Sequence, residues 1–200
     1  MHRVQKYLPA TPLEQFCIYR GGFTSDEIDQ IDFIVPHQNF EKGSIGNKLI
    51  NNAKTDLTVR DADIIWINKD QNSAPHFDIL GRVISKVNHD HFLLDIDGIE
   101  SLQYTKYDKD QHYTWHMDYE YGFREWVRKI SVSVMMSDPS EYEGGELEIC
   151  INGNIDKPIK LKPEKGDIVF FASWMPHRVA PIISGTRKTL VTWVMGKRES

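Results

Sequence analysis

Histidine and aspartate stand two positions apart twice in this chain, as His76-Phe77-Asp78 and as His116-Met117-Asp118. The first pair falls in a stretch with helical periodicity, where residues two apart are turned by about 200° and cannot grip one ion together. It reads as solvated helix surface. The second falls in strand-patterned sequence, where residues i and i+2 leave the same face and can offer an imidazole and a carboxylate to one metal. A third candidate ligand, His177, follows Trp174-Met175-Pro176 at the end of an apolar strand. Two histidines and a carboxylate fill one side of an octahedron and leave three positions open, a donor set that suits iron(II) and dioxygen chemistry, whereas zinc more often takes a closed tetrahedral set. Any one of these histidines alone is equally well explained as an ordinary hydrogen-bonded residue; the conjunction favours a metal. His89, His91 and His112 have no comparable partners and read as structural or surface residues.

The elements that must position this set change character along the chain. Thr24-Ser25-Asp26-Glu27 can cap a helix carrying Ile28, Ile31 and Ile34 on one face and ending at Pro36. Residues 39–58, rich in Gly, Asn and Lys, read as a long loop. Ser73 as N-cap, Pro75 in the first turn and apolar residues at 77, 80, 84 and 87 predict a second helix. From about Ser101 the period becomes two, clearest where Ile130, Val132, Val134 and Met136 alternate with Lys129, Ser131, Ser133 and Met135. Further strands are expected at 101–107, 113–118, 146–151, 157–162, 167–172, 177–181 and 187–195, divided by turns such as Asn152-Gly153-Asn154 and Pro163-Glu164-Lys165-Gly166. The expectation is one mainly β domain over residues 1–200: a helix-rich buttress at about 1–100, then a double-stranded β-helix, or cupin-like jelly roll, at about 101–196.

Bulk properties narrow the partners. The net charge is −5, with Lys and Arg spread along the chain, so no footprint for nucleic acid is expected. The longest apolar runs fall far short of a membrane span. Two cysteines far apart and no charged-then-apolar opening segment suggest a reducing, cytoplasmic setting.

Tyr107, His116-Met117-Asp118, Ser137-Asp138, Tyr142-Glu143-Gly144-Gly145-Glu146-Leu147, Lys165-Gly166-Asp167, His177, Pro181, Gly185-Thr186-Arg187 and Trp193 together resemble the prolyl 4-hydroxylase-like branch of the iron(II)- and 2-oxoglutarate-dependent dioxygenases, including the PKHD-type hydroxylases. The match covers about Ser101 to Gly196. It implies iron(II), 2-oxoglutarate and dioxygen, ascorbate as reductant, and hydroxylation of a C–H bond. Arg187, ten residues after His177, takes the place of the family's cation for the distal carboxylate of 2-oxoglutarate, and a guanidinium fork fits a carboxylate better than an ammonium does. Tyr107 resembles the tyrosine that meets the same carboxylate. Trp193 shares strand parity with Arg187 and is expected near the cofactor, although core packing explains it as well. Taken alone, Arg187 reads as a surface arginine and Tyr107 as a sheet residue; their registry with the triad is what gives them a role. Arg128 precedes the alternating strand as a substrate-binding arginine does in the prolyl hydroxylases, and a strand-start arginine in solvent is the plainer reading.

The expected substrate is a prolyl or other residue of a peptide or protein, with a free amino acid or metabolite as the alternative. Two other classes stay open. A non-redox metal-binding jelly roll would keep the ligands but has no need of Arg187 or Tyr107, and a zinc hydrolase would need a general base, for which Glu120 is close in sequence. The segment from Tyr119 to Val127, with Arg124, Glu125 and Trp126, matches no family motif.

Overall fold

Thr24 starts the first helix by a reciprocal capping box: its hydroxyl accepts from the Glu27 amide, and the Glu27 carboxylate accepts from the Thr24 amide. This helix, α1 (Ser25–Ile34), buries Ile28 and Ile31. The second, α2 (Ala74–Val87), carries Pro75 in its first turn and buries Phe77, Leu80, Ile84 and Val87, the predicted stripe. The computed structural model describes residues 15–35, 39–46, 53–119 and 125–198. Pro36, residues 47–52 of the expected loop, Glu120 and Arg124 lie outside them.

Fifteen strands occur among the described residues: β1 (Phe16–Tyr19), β2 (Glu41–Lys42), β3 (Arg60–Asp61), β4 (Asp63–Ile67), β5 (Gly98–Ile99), β6 (Leu102–Tyr107), β7 (His112–His116), β8 (Trp126–Met135), β9 (Tyr142–Gly144), β10 (Leu147–Ile149), β11 (Ile159–Leu161), β12 (Ile168–Ala172), β13 (His177–Val179), β14 (Ile182–Gly185) and β15 (Arg187–Lys197). The major sheet runs β1-β12-β8-β15-β6-β4-β2, with β5 on β15; the minor sheet runs β11-β10-β13-β7-β3; β14 and β9 form a ribbon. The described ladders are antiparallel. The two sheets with helices on one outer face make the expected jelly roll.

The alternation along β8 divides the molecule. Ile130, Val132 and Val134 join the α1 and α2 apolar residues in the main core. Ser131 and Ser133 belong to the other set and line a cavity between the sheets. A second cluster, with Leu147, Ile149, Leu161, Val169, Phe171 and Met175, packs the sheets together. The first hundred residues are more than a buttress, because β1 and β4 enter the major sheet and β3 enters the minor one. No helix among the described residues is long and apolar enough to cross a membrane.

One local expectation fails. His76 is buried, stacks on Phe23 and places Nε2 3.1 Å from the Glu27 carbonyl, so only Asp78, paired with Lys69, is helix surface. The physical reason is the helix repeat: 76 lies four residues before Leu80, on the apolar stripe itself.

Candidate active site

The last residue of β7, the turn that follows it and the first residue of β13 bring three ligand atoms together. His116 and His177 are direct cross-strand neighbours. Asp118 stands just past β7, where its amide donates to the Ser173 carbonyl at 3.0 Å. The intervening Met117 is exposed, as the two-residue alternation requires. One ligand atom from each of His116, Asp118 and His177 falls within 4.8 Å of the others. Nε2 of His116 is 3.6 Å and Nε2 of His177 is 3.4 Å from the Asp118 carboxylate.

Each ligand is oriented by a neighbour. Nδ1 of His116 lies 2.8 Å from the Thr114 carbonyl and Nδ1 of His177 lies 2.9 Å from the Met175 carbonyl. A carbonyl can only accept, so both Nδ1 atoms carry the proton and both Nε2 lone pairs face the shared point. The Ser131 hydroxyl donates to Asp118 at 2.7 Å and contacts the Ser173 hydroxyl at 3.0 Å. Burial and the neighbouring His177 push the His116 pKa well below the usual imidazole range, which keeps it neutral. Burial alone would raise Asp118, but its two imidazole neighbours, Arg128 and the Ser131 hydrogen bond outweigh it and hold the carboxyl ionised. Neutral imidazoles and an ionised carboxylate are the forms a metal requires. The mixed nitrogen and oxygen donors fit iron(II).

The triad opens into a cavity of about 420 Å³ between the sheets. Arg187 on β15 lines it and lies in direct register with Tyr107 on β6. Arg187 is 2% exposed, its guanidinium sits 5.8 Å from the Tyr107 ring, and its Nη2 donates to the weak acceptor Met135 Sδ at 3.7 Å. No carboxylate among the described residues pairs with it. A buried guanidinium in that condition fits an anionic co-substrate. The Tyr107 phenol is buried and its pKa is raised, burial being the largest cause, so it is a donor at neutral pH. Trp193 also lines the cavity, and its Nε1 is buried without an acceptor among the described residues. Arg128 lines the cavity too, but Glu100 holds its guanidinium through Nε and Nη2, both at 2.7 Å, and the plane stacks 3.7 Å above the Trp193 ring.

Several cavity residues carry no sequence motif. Tyr113 stacks on the His116 ring at 3.5 Å, Arg60 lies over Tyr113 at 4.7 Å, and Gln103 accepts from Arg60 at 2.6 Å. Strand parity within β6 could have placed Gln103 beside Tyr107; Arg60 needs the β3–β7 pairing, which local sequence does not disclose. His89 pairs with Asp90 at the surface, and His112 contacts backbone carbonyls, both away from the triad.

Comparison with known proteins agrees with this geometry. The family model described as "2OG-Fe(II) oxygenase superfamily" matches residues 102–195. A PKHD-type hydroxylase of Crocosphaera subtropica is 30% identical over 181 residues, covering 86% of this chain and 74% of that protein. A PKHD-type hydroxylase of a Synechococcus strain is 33% identical over 96 residues, a match covering 48% of this chain and 42% of the relative. Among solved structures, a Pseudomonas putida prolyl-4-hydroxylase superposes with a TM-score of 0.71 at 15% identity, covering 93% of this chain and 94% of that one. A Trichoplax adhaerens prolyl hydroxylase in complex with a hypoxia inducible factor peptide fragment gives 0.72 at 21% identity, covering 90% and 83%. These two structural likenesses show the shared fold. The chain belongs to the 2-oxoglutarate- and iron(II)-dependent oxygenase superfamily, as a dioxygenase related to the PKHD-type hydroxylases.

Proposed function

We propose that this dioxygenase hydroxylates a C–H bond of a prolyl or other residue in an extended peptide, using iron held by His116, Asp118 and His177 and 2-oxoglutarate held by Arg187 and Tyr107. The observation that carries this is the placement of the triad and the uncompensated Arg187 in one cavity. When bound, iron and 2-oxoglutarate supply dioxygen activation coupled to loss of carbon dioxide, leaving succinate and a hydroxylated product, with ascorbate keeping the iron reduced.

The protein's part is positioning and exclusion of water. Ser131 and the two backbone carbonyls hold the ligands in their donating orientations. Arg187 offers a fork to the distal carboxylate of the co-substrate, and the Tyr107 hydroxyl donates to the same group. Trp193 walls the cavity, clamped from the other side by Arg128 and Glu100. Peptide recognition is supported by exposed apolar groups flanking the site: Met117 between two ligands, Trp174 beside Ser173, and Trp126 at the cavity rim. Arg128, neutralised by Glu100, would meet a peptide as a paired, stacked plane.

The test is incubation of purified protein with iron(II), ascorbate, 2-oxoglutarate and a panel of proline-containing peptides beside free amino acids. Mass spectrometry should find one added oxygen on a peptide, matched by succinate. Oxygen gain confined to free small molecules would refute the peptide reading and leave the dioxygenase standing.

A further inference from the structure

The cavity holds a second buried guanidinium that the chemistry above does not use. Arg60 on β3 is 8% exposed and lines the cavity. Its Nη1 donates to the Ser44 carbonyl at 3.2 Å and its Nη2 to Gln103 Oε1 at 2.6 Å, both neutral acceptors, and its Nε is buried with no acceptor among the described residues. Among the described residues no carboxylate pairs with it. The acids nearest in sequence are engaged elsewhere: Asp61 and Asp63 face Lys42 and Gln111. Gly43 packs so tightly on this side chain that a Cβ there would come 2.6 Å from Arg60 Nε. The guanidinium is therefore fixed in place from behind and stacked on Tyr113, which itself stacks on His116.

Holding a permanent charge in such a place is costly unless an anion answers it. The 2-oxoglutarate read into this site already has a partner. Arg60 leans on Gln103 and Arg187 lies against Tyr107, four residues apart on β6, on the order of 13 Å of strand, so the two cations meet the cavity at different levels. The formal charges point the same way. Iron(II) and Arg187 balance Asp118 and the two carboxylates of 2-oxoglutarate, and Arg128 balances Glu100. Among the described charges that line the cavity, Arg60 is left over.

We infer that Arg60 is a specificity residue that binds a carboxylate of the substrate. The inference rests on the iron and 2-oxoglutarate reading of the cavity and narrows its substrate to molecules bearing an acid near the hydroxylated carbon. That acid is either an Asp or Glu side chain in a peptide or the free carboxylate of a small molecule or chain end.

The experiment uses the anaerobic protein loaded with iron(II) and 2-oxoglutarate, with binding read from the substrate-induced change in its visible spectrum. One arm is a short proline-centred peptide in which a single Asp walks through the flanking positions, each peptide having an Asn twin. The other is N-acetylproline beside its amide. The acidic member of at least one pair should bind tighter than its twin by on the order of tenfold or more, and the arm in which this occurs identifies the source of the carboxylate. Arg60→Gln should erase the preference, Arg60→Lys should keep part of it, and neither should change 2-oxoglutarate affinity, with thermal midpoints confirming that both variants fold. A panel in which no acidic member outperforms its twin, including one in which nothing binds, overturns the inference. So does a preference that survives in Arg60→Gln, or a loss of 2-oxoglutarate affinity in that variant as large as in Arg187→Gln. Failure of the peptide reading is separate: it appears as oxygen gain on no peptide, whatever the acidic preference.

Discussion

Replacing Arg187 by Met should pull stability and co-substrate binding in opposite directions. In the protein without 2-oxoglutarate, Arg187 is a cation 2% exposed that donates to a thioether 3.7 Å away. An apolar side chain of similar length removes an unanswered charge, so the thermal midpoint of this form should stay level or rise. With 2-oxoglutarate, the same substitution deletes a charge-assisted fork to a carboxylate in a largely dry cavity, a loss of about 2–3 kcal/mol. That is roughly a 30- to 150-fold weaker dissociation constant. Ligand stabilisation follows the logarithm of concentration over dissociation constant, so at saturation the same 2–3 kcal/mol disappears from the ligand-induced gain. For a chain of this size each kcal/mol moves the midpoint by about 2–4 °C, and the variant should forfeit roughly 4–12 °C of the rise that 2-oxoglutarate gives the native iron protein. The assay is anaerobic thermal unfolding with iron(II), with and without 2-oxoglutarate. An undiminished ligand-induced rise in Arg187→Met, or a variant that collapses without ligand, would refute the reasoning.

Ser131→Ala removes the 2.7 Å donor to Asp118 and should weaken iron(II) by roughly 10- to 100-fold while leaving the fold intact, as read by metal competition and circular dichroism. Gly145 has φ +65°, and a Cβ there would run into Ile182 and come 3.0 Å from Arg187 Cδ. Gly145→Ala should therefore lower stability by about 1–3 kcal/mol in denaturant titration and also weaken 2-oxoglutarate. Arg128→Ala frees Glu100 and uncovers the Trp193 ring, so it should raise the apparent KM for a peptide while substrate-free turnover of 2-oxoglutarate changes little.

Much of the site could be read from the chain because its geometry repeats every two residues. His116 and Asp118 share a face, and Arg187, Thr189, Val191 and Trp193 line one cavity wall by parity alone. Strand β8 was equally legible, since its apolar and hydroxyl residues alternate between the core and the cavity. What was not legible depends on partners far away in sequence. Arg60 reaches the cavity because β3 pairs with β7 in a register setting Arg60 against Tyr113, and nothing local to residue 60 encodes that. Arg128 was legible as a residue near the site but not as one held by Glu100, because a separation of 28 positions hides the contact. His76 was misread for a different reason: a polar residue on an apolar stripe was given to solvent, when Phe23 and the Glu27 carbonyl were there to satisfy it.

The claim at the centre of the account is that His116, Asp118 and His177 hold one iron beside 2-oxoglutarate. Anaerobic titration of iron(II) and then 2-oxoglutarate, followed by metal content and visible charge-transfer absorbance, tests it most directly in the native protein and in Asp118→Ala. The account predicts one iron per native chain, an absorbance that appears only when 2-oxoglutarate is added, and neither in a folded Asp118→Ala variant. Equal iron binding and an unchanged absorbance in that variant would contradict it.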